Sequence, residues 1–314
     1  MFVLNTGAIT MQTTADMPAT SAVHGTVKVI MAALLVMLCA GMSLARNVVW
    51  KDELTIWDDA IRKSPDKARV YNFRGIRFGE TGQLERALVL YTRMIAREPS
   101  DHVAYYNRGI VWGKMKKYDE ALSDLSRSLA LKPGYTLAYY ERSKVNGEMG
   151  RVELALLDAD AAIELDASFA AAYNERGILL GRSGRPMQAL KEFTTTIALD
   201  PLSADAYNNR AVTFEMMGRL DRAQSDYEKA VSIDPLFVAA YANRAENLKK
   251  MGRIEDAIAD YARAISLRQD YAQAYYERGE LYRKTNRIGT AMNDYRQACK
   301  LGSKYGCEAI GRYQ

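Results

Sequence analysis

The residue types that most often perform catalysis are scarce in this chain and do not form a catalytic pattern. The only two histidines are His24 and His102, and the three cysteines are Cys39, Cys299 and Cys307. The sequence has no glycine-rich phosphate loop, no cluster of histidines and cysteines at metal-ligand spacing, and no nucleophile elbow. We therefore expect a protein without catalytic activity, cofactor or metal.

Arginines and carboxylates, by contrast, recur at fixed spacing. An arginine occurs every 34 residues, and in six of seven units an acid follows 16 residues later, with Leu90 as the exception. The arginines are Arg74, Arg108, Arg142, Arg176, Arg210, Arg244 and Arg278, and the acids are Asp124, Asp158, Glu192, Asp226, Asp260 and Asp294. One hypothesis is an arginine stripe that binds phosphate or an acidic peptide; the other is a ladder of ion pairs between packed helices. The matching spacing favours the ladder, because a guanidinium can bind a carboxylate through two donors.

The overall charge does not indicate a nucleic-acid partner. The net charge is +5, but the basic residues are dispersed, and the densest patch is the short run 114–117. A basic stripe that binds a phosphate backbone requires clustering on one face. A solvated surface of mixed charge is the better interpretation.

The same period of 34 residues governs the apolar and small residues from Ala68 to Tyr305, over seven units without insertion or deletion. Position four is always tyrosine, position twenty is always alanine, and position eight is always glycine, alanine or serine. Each unit predicts two amphipathic helices, because apolar residues recur three and four positions apart. A glycine such as Gly82 or Gly150 provides the turn between them, and proline closes four of the units.

These repeat positions resemble the tetratricopeptide-repeat family over about three quarters of the chain. The resemblance implies an all-α fold, a right-handed solenoid of seven repeats over 68–305, in which stacked helix pairs bury a continuous core. It also implies a concave groove, in which positions two, five, six and nine of each first helix face a partner.

The groove positions carry amides and tyrosines rather than the basic clamp with which chaperone-binding relatives hold a terminal carboxylate. Of positions two, five and six, only Arg69 is basic. Amides can bond a peptide backbone through both a donor and an acceptor, and tyrosine offers a flat apolar face with a polar tip. The groove thus suits an extended peptide, including a basic one; the alternative is a solvated inner face without a ligand. The predicted peptide-binding residues are Asn72, Tyr106, Asn107, Tyr140, Asn174, Asn208, Asn209, Asn243 and Tyr276.

The N-terminal region predicts a membrane or export function. Residues 1–25 are expected to be a disordered leader, and 26–45 a signal-anchor or transmembrane helix, because 29–45 carries no charge. Ser43-Leu44-Ala45 suits cleavage by signal peptidase, but the segment could equally remain as an anchor. The positive-inside rule places the repeats in the cytoplasm, whereas cleavage places them outside, and the topology stays open.

Residues 46–67 predict a partial repeat that caps the array, because Trp57, Ala60 and Pro65 fall in the repeat frame. The junction from the apolar segment into this cap resembles the last span and first repeat of multi-span glycosyltransferases that carry C-terminal repeats. This chain has one apolar span, so the resemblance implies the repeat half alone.

The two C-terminal cysteines lie in Ala-Cys-Lys-Leu-Gly-Ser-Lys-Tyr-Gly-Cys, which resembles exported cysteine-rich repeat proteins. In those proteins a disulfide ties one helix to the next. The resemblance implies a Cys299–Cys307 bridge that fixes residues 306–314 as a C-terminal cap, in an oxidising compartment. Free buried cysteines are the alternative.

Two functions follow from these observations. The first is a non-catalytic scaffold at the cell envelope, with its repeats on the extracytoplasmic side, that binds a protein or peptide segment in the groove. The second is an accessory or substrate-binding repeat half of a membrane glycosyltransferase, which the junction motif motivates.

Overall fold

The computed structural model describes residues 31, 34–44, 53–63 and 68–312. Within these ranges the secondary structure is entirely helical, with turns between helices and no strand. The chain divides into two compact units, residues 1–77 and 78–314, and the boundary falls inside a helix. The predicted all-α fold is confirmed.

The predicted membrane or signal helix over 26–45 is not supported by the described residues. Residues 31 and 34–44 are helical, and their side chains are exposed. In the described part of the chain no helix combines the length and the apolar character needed to span a membrane. The rest of 26–45 and the predicted leader 1–25 lie outside the described residues.

The first unit also contains helix α1, Glu53–Lys63, within the predicted capping repeat. In this unit the Trp57 ring stacks on the Phe73 ring, with centroids 5.1 Å apart, and the Arg69 guanidinium lies 5.5 Å from the same ring. An aromatic stack of this kind adds to the energy of apolar burial.

Helices follow the 34-residue period throughout residues 68–300. Each first helix begins at repeat position one and each second helix at position seventeen. The first helices are α2 Ala68–Glu80, α4 His102–Lys114, α6 Thr136–Glu148, α8 Ala170–Arg182, α10 Ala204–Met216, α12 Val238–Lys250 and α14 Ala272–Lys284. The second helices are α3 Leu84–Arg97, α5 Tyr118–Leu131, α7 Val152–Leu165, α9 Pro186–Leu199, α11 Leu220–Ile233, α13 Ile254–Leu267 and α15 Ile288–Lys300, and α16 Lys304–Gly311 ends the array.

A left-handed residue at position fifteen makes the turn between the two helices of a repeat. Five repeats use glycine there, as at Gly184 with φ +75°. Lys116 and Asn286 adopt the same conformation, with φ of 59° and 60°. Glycine is the usual choice because the left-handed region crowds a Cβ atom.

Small residues at position eight let the two helices of a repeat approach closely. A Cβ atom at Gly177 would lie 2.6 Å from Phe193, and one at Gly279 would lie 2.8 Å from Tyr295. Both aromatic rings stand at position twenty-four of the second helix and are almost fully buried. Close packing therefore depends on the pairing of a small residue with a large one.

In residues 78–312 each helix packs against the helices before and after it in the chain. The first helices of neighbouring repeats, α4 with α6 through α10 with α12, also approach one another, whereas the second helices have no comparable contact. The first helices therefore line the inner, concave surface of this unit, and the second helices form its outer surface.

Candidate functional site

Each arginine of the second unit at position seven binds the acid 16 residues later in the same repeat. Arg108 donates from Nε to Asp124 Oδ2 at 2.7 Å and from Nη2 to Oδ1 at 2.8 Å. The same pairing joins Arg142 to Asp158, Arg176 to Glu192, Arg210 to Asp226, Arg244 to Asp260 and Arg278 to Asp294, with closest N–O distances of 2.6–2.8 Å. The pairs link the two helices of a repeat, and hydrogen bonding to Asp124 raises the pKa of Arg108.

The Nη1 atom of several of these arginines makes a third hydrogen bond, to a side chain of the preceding repeat. Arg108 Nη1 donates to Thr92 Oγ1 at 3.2 Å, and Arg142 Nη1 donates to Ser126 Oγ at 3.2 Å. In the fourth repeat this partner is a carboxylate, and Arg176 Nη1 donates to Asp160 Oδ1 at 2.6 Å. Each of these arginines lies where three helices meet, so the geometry is that of a structural ladder rather than of an open anion-binding stripe.

Four of the predicted groove amides pair with one another between repeats. Asn209 Nδ2 donates to Asn174 Oδ1 at 3.2 Å, and Asn243 Nδ2 donates to Asn208 Oδ1 at 3.0 Å. Asn208 and Asn107 are only 7% and 9% exposed, so they belong to the packing between first helices. These amides are predicted to bind a peptide, but they also join neighbouring repeats, because positions five and six of adjacent repeats come within hydrogen-bonding distance. Asn72 is half-buried in the first unit.

The predicted tyrosines make aromatic contacts with the ring at position thirty-four of the same repeat. Tyr106 meets Tyr135 edge-on with centroids 5.1 Å apart, and Tyr140 meets Phe169 at 5.2 Å. Tyr276 lies 5.7 Å from Tyr305. Burial raises the pKa of Tyr106 and Tyr140, so both phenols stay protonated at neutral pH. These rings are partly buried, except for Tyr305, which is exposed.

Two cavities open on the inner surface at equivalent places in the repeat. One, of 370 Å³, lies between α4 and α6 and is lined by residues including Ile110, Gly113, Leu125 and Val145. The other, of 240 Å³, lies between α8 and α10, where the equivalent residues are Ile178, Gly181, Phe193 and Thr213, and Met216 closes one side. The large residue at position twenty-four forms the floor of each cavity.

Glycine at position twelve keeps both cavities open. A Cβ atom would meet Val145 at 3.6 Å if placed on Gly113, and Ala189 at 3.9 Å if placed on Gly181. Both distances are ordinary van der Waals contacts, so packing does not require glycine here. A mid-helix glycine costs about 0.5–1 kcal/mol relative to alanine. Glycine at position twelve therefore lowers stability although the packing of the helices does not require it.

The interval between these cavities, from α6 to α8, is occupied by Leu179 and Glu175. The Leu179 Cδ2 atom lies 2.8 Å, and the Glu175 Oε1 atom 3.7 Å, from the place where a Cβ on Gly147 would be. Burial raises the pKa of Glu175, and nearby Lys144 and Arg182 lower it. The net shift of the Glu175 pKa is upward, so the two cations do not fully offset the cost of burying the charged carboxylate.

In the last three repeats position twelve carries a charged side chain and the intervals are filled. Glu215 accepts from the Tyr227 hydroxyl and from Lys250 Nζ, both at 2.7 Å. Lys249 pairs with Glu246 and Glu277, and Arg283 pairs with Glu280. The Tyr295 hydroxyl donates to Glu280 at 2.6 Å. In this half of the inner surface, ion-paired side chains that also bind buried tyrosine hydroxyls occupy the space between first helices.

Position twelve is not among the residues predicted from the sequence. Its signal is visible when the seven repeats are aligned, because four glycines precede three charged residues: Gly79, Gly113, Gly147, Gly181, Glu215, Lys249 and Arg283.

A disulfide joins Cys299 at the end of α15 to Cys307 in α16, with Cα atoms 4.6 Å apart. It holds α16 against the last repeat, where Ala309 packs with Tyr295 and Ala291. Across the described ranges, no group of three or more histidine, cysteine, aspartate or glutamate side chains is placed to hold a metal ion.

Family models agree with the repeat frame. Models described as tetratricopeptide repeat match residues 102–135, 204–237 and 272–304, and one described as TPR repeat matches 246–286. The first two matches coincide with whole 34-residue units of the frame. A comparison with curated protein sequences found no significant match.

Solved structures with the same fold have low identity to this chain. The APC/C hetero-tetramer Cut9-Hcn1 aligns with a TM-score of 0.66 and 17% identity over 82% of this chain and 51% of that chain. A tetratricopeptide repeat protein from Parabacteroides merdae aligns with a TM-score of 0.59 and 22% identity, over 81% of this chain and 97% of that one. PilF of Pseudomonas aeruginosa aligns with a TM-score of 0.59 and 18% identity, over 69% and 99%. The family models and the shared fold show that this chain contains tetratricopeptide repeats.

Proposed function

We propose that this chain is a non-catalytic scaffold that binds an extended protein segment along the first helices of repeats two to five. The observation that carries the proposal is the pair of cavities beside Gly113 and Gly181, at the same repeat position and on the same concave surface. Cavities in register along a groove suit the periodic side chains of one bound segment. Tetratricopeptide repeats and their structural neighbours support an interaction scaffold in general terms.

The polar groups around these cavities suit a peptide backbone. Asn209 lines the second cavity and uses one donor in its bond to Asn174, which leaves the rest of both amides available to a ligand. An amide can donate to a backbone carbonyl and accept from a backbone N–H at once. Apolar pockets would then hold side chains while the amides hold the main chain.

We further propose that the scaffold works at the cell envelope, with its repeats on the extracytoplasmic side. The Cys299–Cys307 disulfide supports this, because structural disulfides persist mainly in oxidising compartments. The glycosyltransferase alternative rests on the junction over 46–67, much of which lies outside the described residues, and no contact among residues 53–63 favours it.

Photo-crosslinking from two faces of the fifth repeat tests the binding surface. A photoreactive residue replaces Val212 on the inner surface in one variant and Ser225, exposed on the outer surface, in the other. In cells of the native host we expect the same crosslinked protein from repeated preparations of the Val212 variant and not from the Ser225 variant. Crosslinks from Ser225 alone would place the binding surface on the second helices and overturn the proposal.

A further inference from the structure

We propose that the groove selects a segment in which one basic side chain lies midway between two large apolar side chains. The basic group binds the Glu175 carboxylate, and the apolar groups enter the cavities beside Gly113 and Gly181. This inference rests on the proposed function and specifies the chemistry of its ligand.

The order of the three subsites follows from the repeat frame. The first helices lie side by side in the order α4, α6, α8 and α10. One cavity lies between α4 and α6, and the other lies between α8 and α10. Glu175 stands at the interval between them, over Gly147. One segment lying across these helices therefore meets an apolar site, an acidic site and a second apolar site in turn.

The spacing of the ligand's side chains follows from helix packing. Neighbouring packed helices are about 8–10 Å apart, so sites two helices apart are separated by roughly 16–20 Å. A segment in the extended polyproline II form advances about 3.1 Å per residue and completes a turn every three residues, so side chains three positions apart lie on the same face. The two apolar side chains are therefore about six residues apart, with the basic residue about three positions from each.

Charge complementarity identifies the central residue as basic. Among the residues that the structure describes, the Glu175 carboxylate forms no ion pair and no side-chain hydrogen bond. The two cations whose charges act on it are already engaged, because Lys144 Nζ binds Glu141 at 3.0 Å and Arg182 Nη1 binds Glu148 at 3.1 Å. A carboxylate that burial deprives of water gains more from a new cation than an exposed carboxylate does.

In the other half of the inner surface the acids are already paired. Glu277, at the repeat position equivalent to that of Glu175, shares Lys249 with Glu246, and Glu280 binds both Arg283 and the Tyr295 hydroxyl. A basic ligand placed there would have to displace a cation already bound. The segment is therefore confined to repeats two to five.

Binding of designed peptides to the full chain tests the inference. The probe is a fluorescent peptide of glycine and serine with two leucines about six positions apart and a lysine midway; counterparts carry glutamate or glutamine in place of the lysine, or serines in place of the leucines. We expect the lysine peptide to bind most tightly by fluorescence anisotropy. Glu175→Gln should weaken it about tenfold and leave the glutamine peptide unchanged.

A charge reversal keeps the test independent of folding. Glu175→Lys should reverse the preference, so that the glutamate peptide binds more tightly than the lysine peptide. Equal affinity of the lysine and glutamate peptides for the unmodified chain would overturn the inference, as would no binding of any peptide or no gain from the leucines. The crosslink from Val212 to a native partner is a separate result, so the proposed function can survive when this specificity fails.

Discussion

The two halves of the inner surface share one repeat frame and differ mainly at one helical position. In repeats one to four position twelve is glycine, and in repeats two and four this glycine borders a cavity. In repeats five to seven the same position carries Glu215, Lys249 or Arg283, and ion pairs fill the space. Backbone, ladder and core are common to both halves. A difference in function within the array can thus arise from one side chain per repeat without a change of fold.

The open half is the inner surface of repeats one to four together with the side of α10 that lines the second cavity, and the closed half is the remaining inner surface of repeats five to seven. The ladder gives the largest expected effect and should be stronger in the open half. Arg176 binds two carboxylates, Glu192 and Asp160, whereas Arg244 binds Asp260 alone. Arg176→Leu leaves the buried Glu192 carboxylate unpaired, together with the half-exposed Asp160, and should cost about 2–4 kcal/mol, somewhat less than for a fully buried pair because the arginine is partly exposed. Arg244→Leu should cost less. Urea denaturation of both variants measures the difference.

Removal of the partner carboxylate provides the control. Arg176→Leu combined with Glu192→Leu should recover much of the lost stability, because one buried carboxylate is then absent. A double variant as unstable as the sum of the two single variants would show that the pair is not coupled.

The disulfide acts only at the end of the closed half. It closes a loop with a sequence separation of 8, which corresponds to roughly 2–3 kcal/mol of stabilisation. Cys299→Ser with Cys307→Ser should therefore loosen α16 and leave the open half unchanged, as measured by hydrogen exchange of the two regions. In protein freshly alkylated in the native host, both cysteines should resist labelling until a reductant is added. Full labelling without reductant would remove the support for an extracytoplasmic location.

Filling a cavity in the open half should weaken binding without loss of stability. Gly181→Lys places the side chain of the closed half into the second cavity, where a Cβ atom meets only Ala189 at 3.9 Å. Loss of one buried apolar side chain of the ligand is worth about 1.5–3 kcal/mol, so affinity for the leucine–lysine peptide should fall at least about tenfold. Thermal unfolding should show equal or higher stability, since a mid-helix glycine is removed.

A matched control for this variant is Gly289→Lys, which adds the same side chain at an exposed helical glycine on the outer surface with nothing within 4 Å. Its affinity should equal that of the unmodified chain. Equal loss in both variants would mean that added charge, and not the cavity, controls binding.

Replacement of Glu175 should change stability less than replacement of Arg176 and in the opposite direction. Burial raises its pKa above the ordinary 4.5, so ionisation opposes folding: the penalty is absent at pH values below 4.5 and complete above the folded pKa. Lys144 and Arg182 reduce this penalty, and Glu141 and Glu148 increase it. Glu175→Gln should therefore stabilise the protein at neutral pH, with a gain that vanishes below pH 4.5. A variant less stable than the parent at neutral pH would show that the carboxylate is already compensated.

The sequence predicted the fold in detail because every repeat restates the same constraints. Glycine at position fifteen, alanine at position twenty and the small residue at position eight locate the turn and both helices. The amide pairs were missed, since Asn174 and Asn209 are 35 residues apart and their contact depends on how neighbouring repeats stack. Position twelve was missed because a glycine inside a helix has no apolar or polar signature of its own. Its meaning depends on what the next helix places beside it, as Leu179 does at Gly147.

Methyl NMR of the full chain tests most directly whether the open half is the binding surface. The methyl groups of Ile178 and Val212 line the second cavity, whereas Leu248 and Leu281 lie buried at position eleven or ten in the closed half. On titration with the leucine–lysine peptide, we expect shifts of the Ile178 and Val212 signals that saturate together, with the Leu248 and Leu281 signals unchanged. Saturable shifts at Leu248 and Leu281, with none at Ile178 and Val212, would contradict the account.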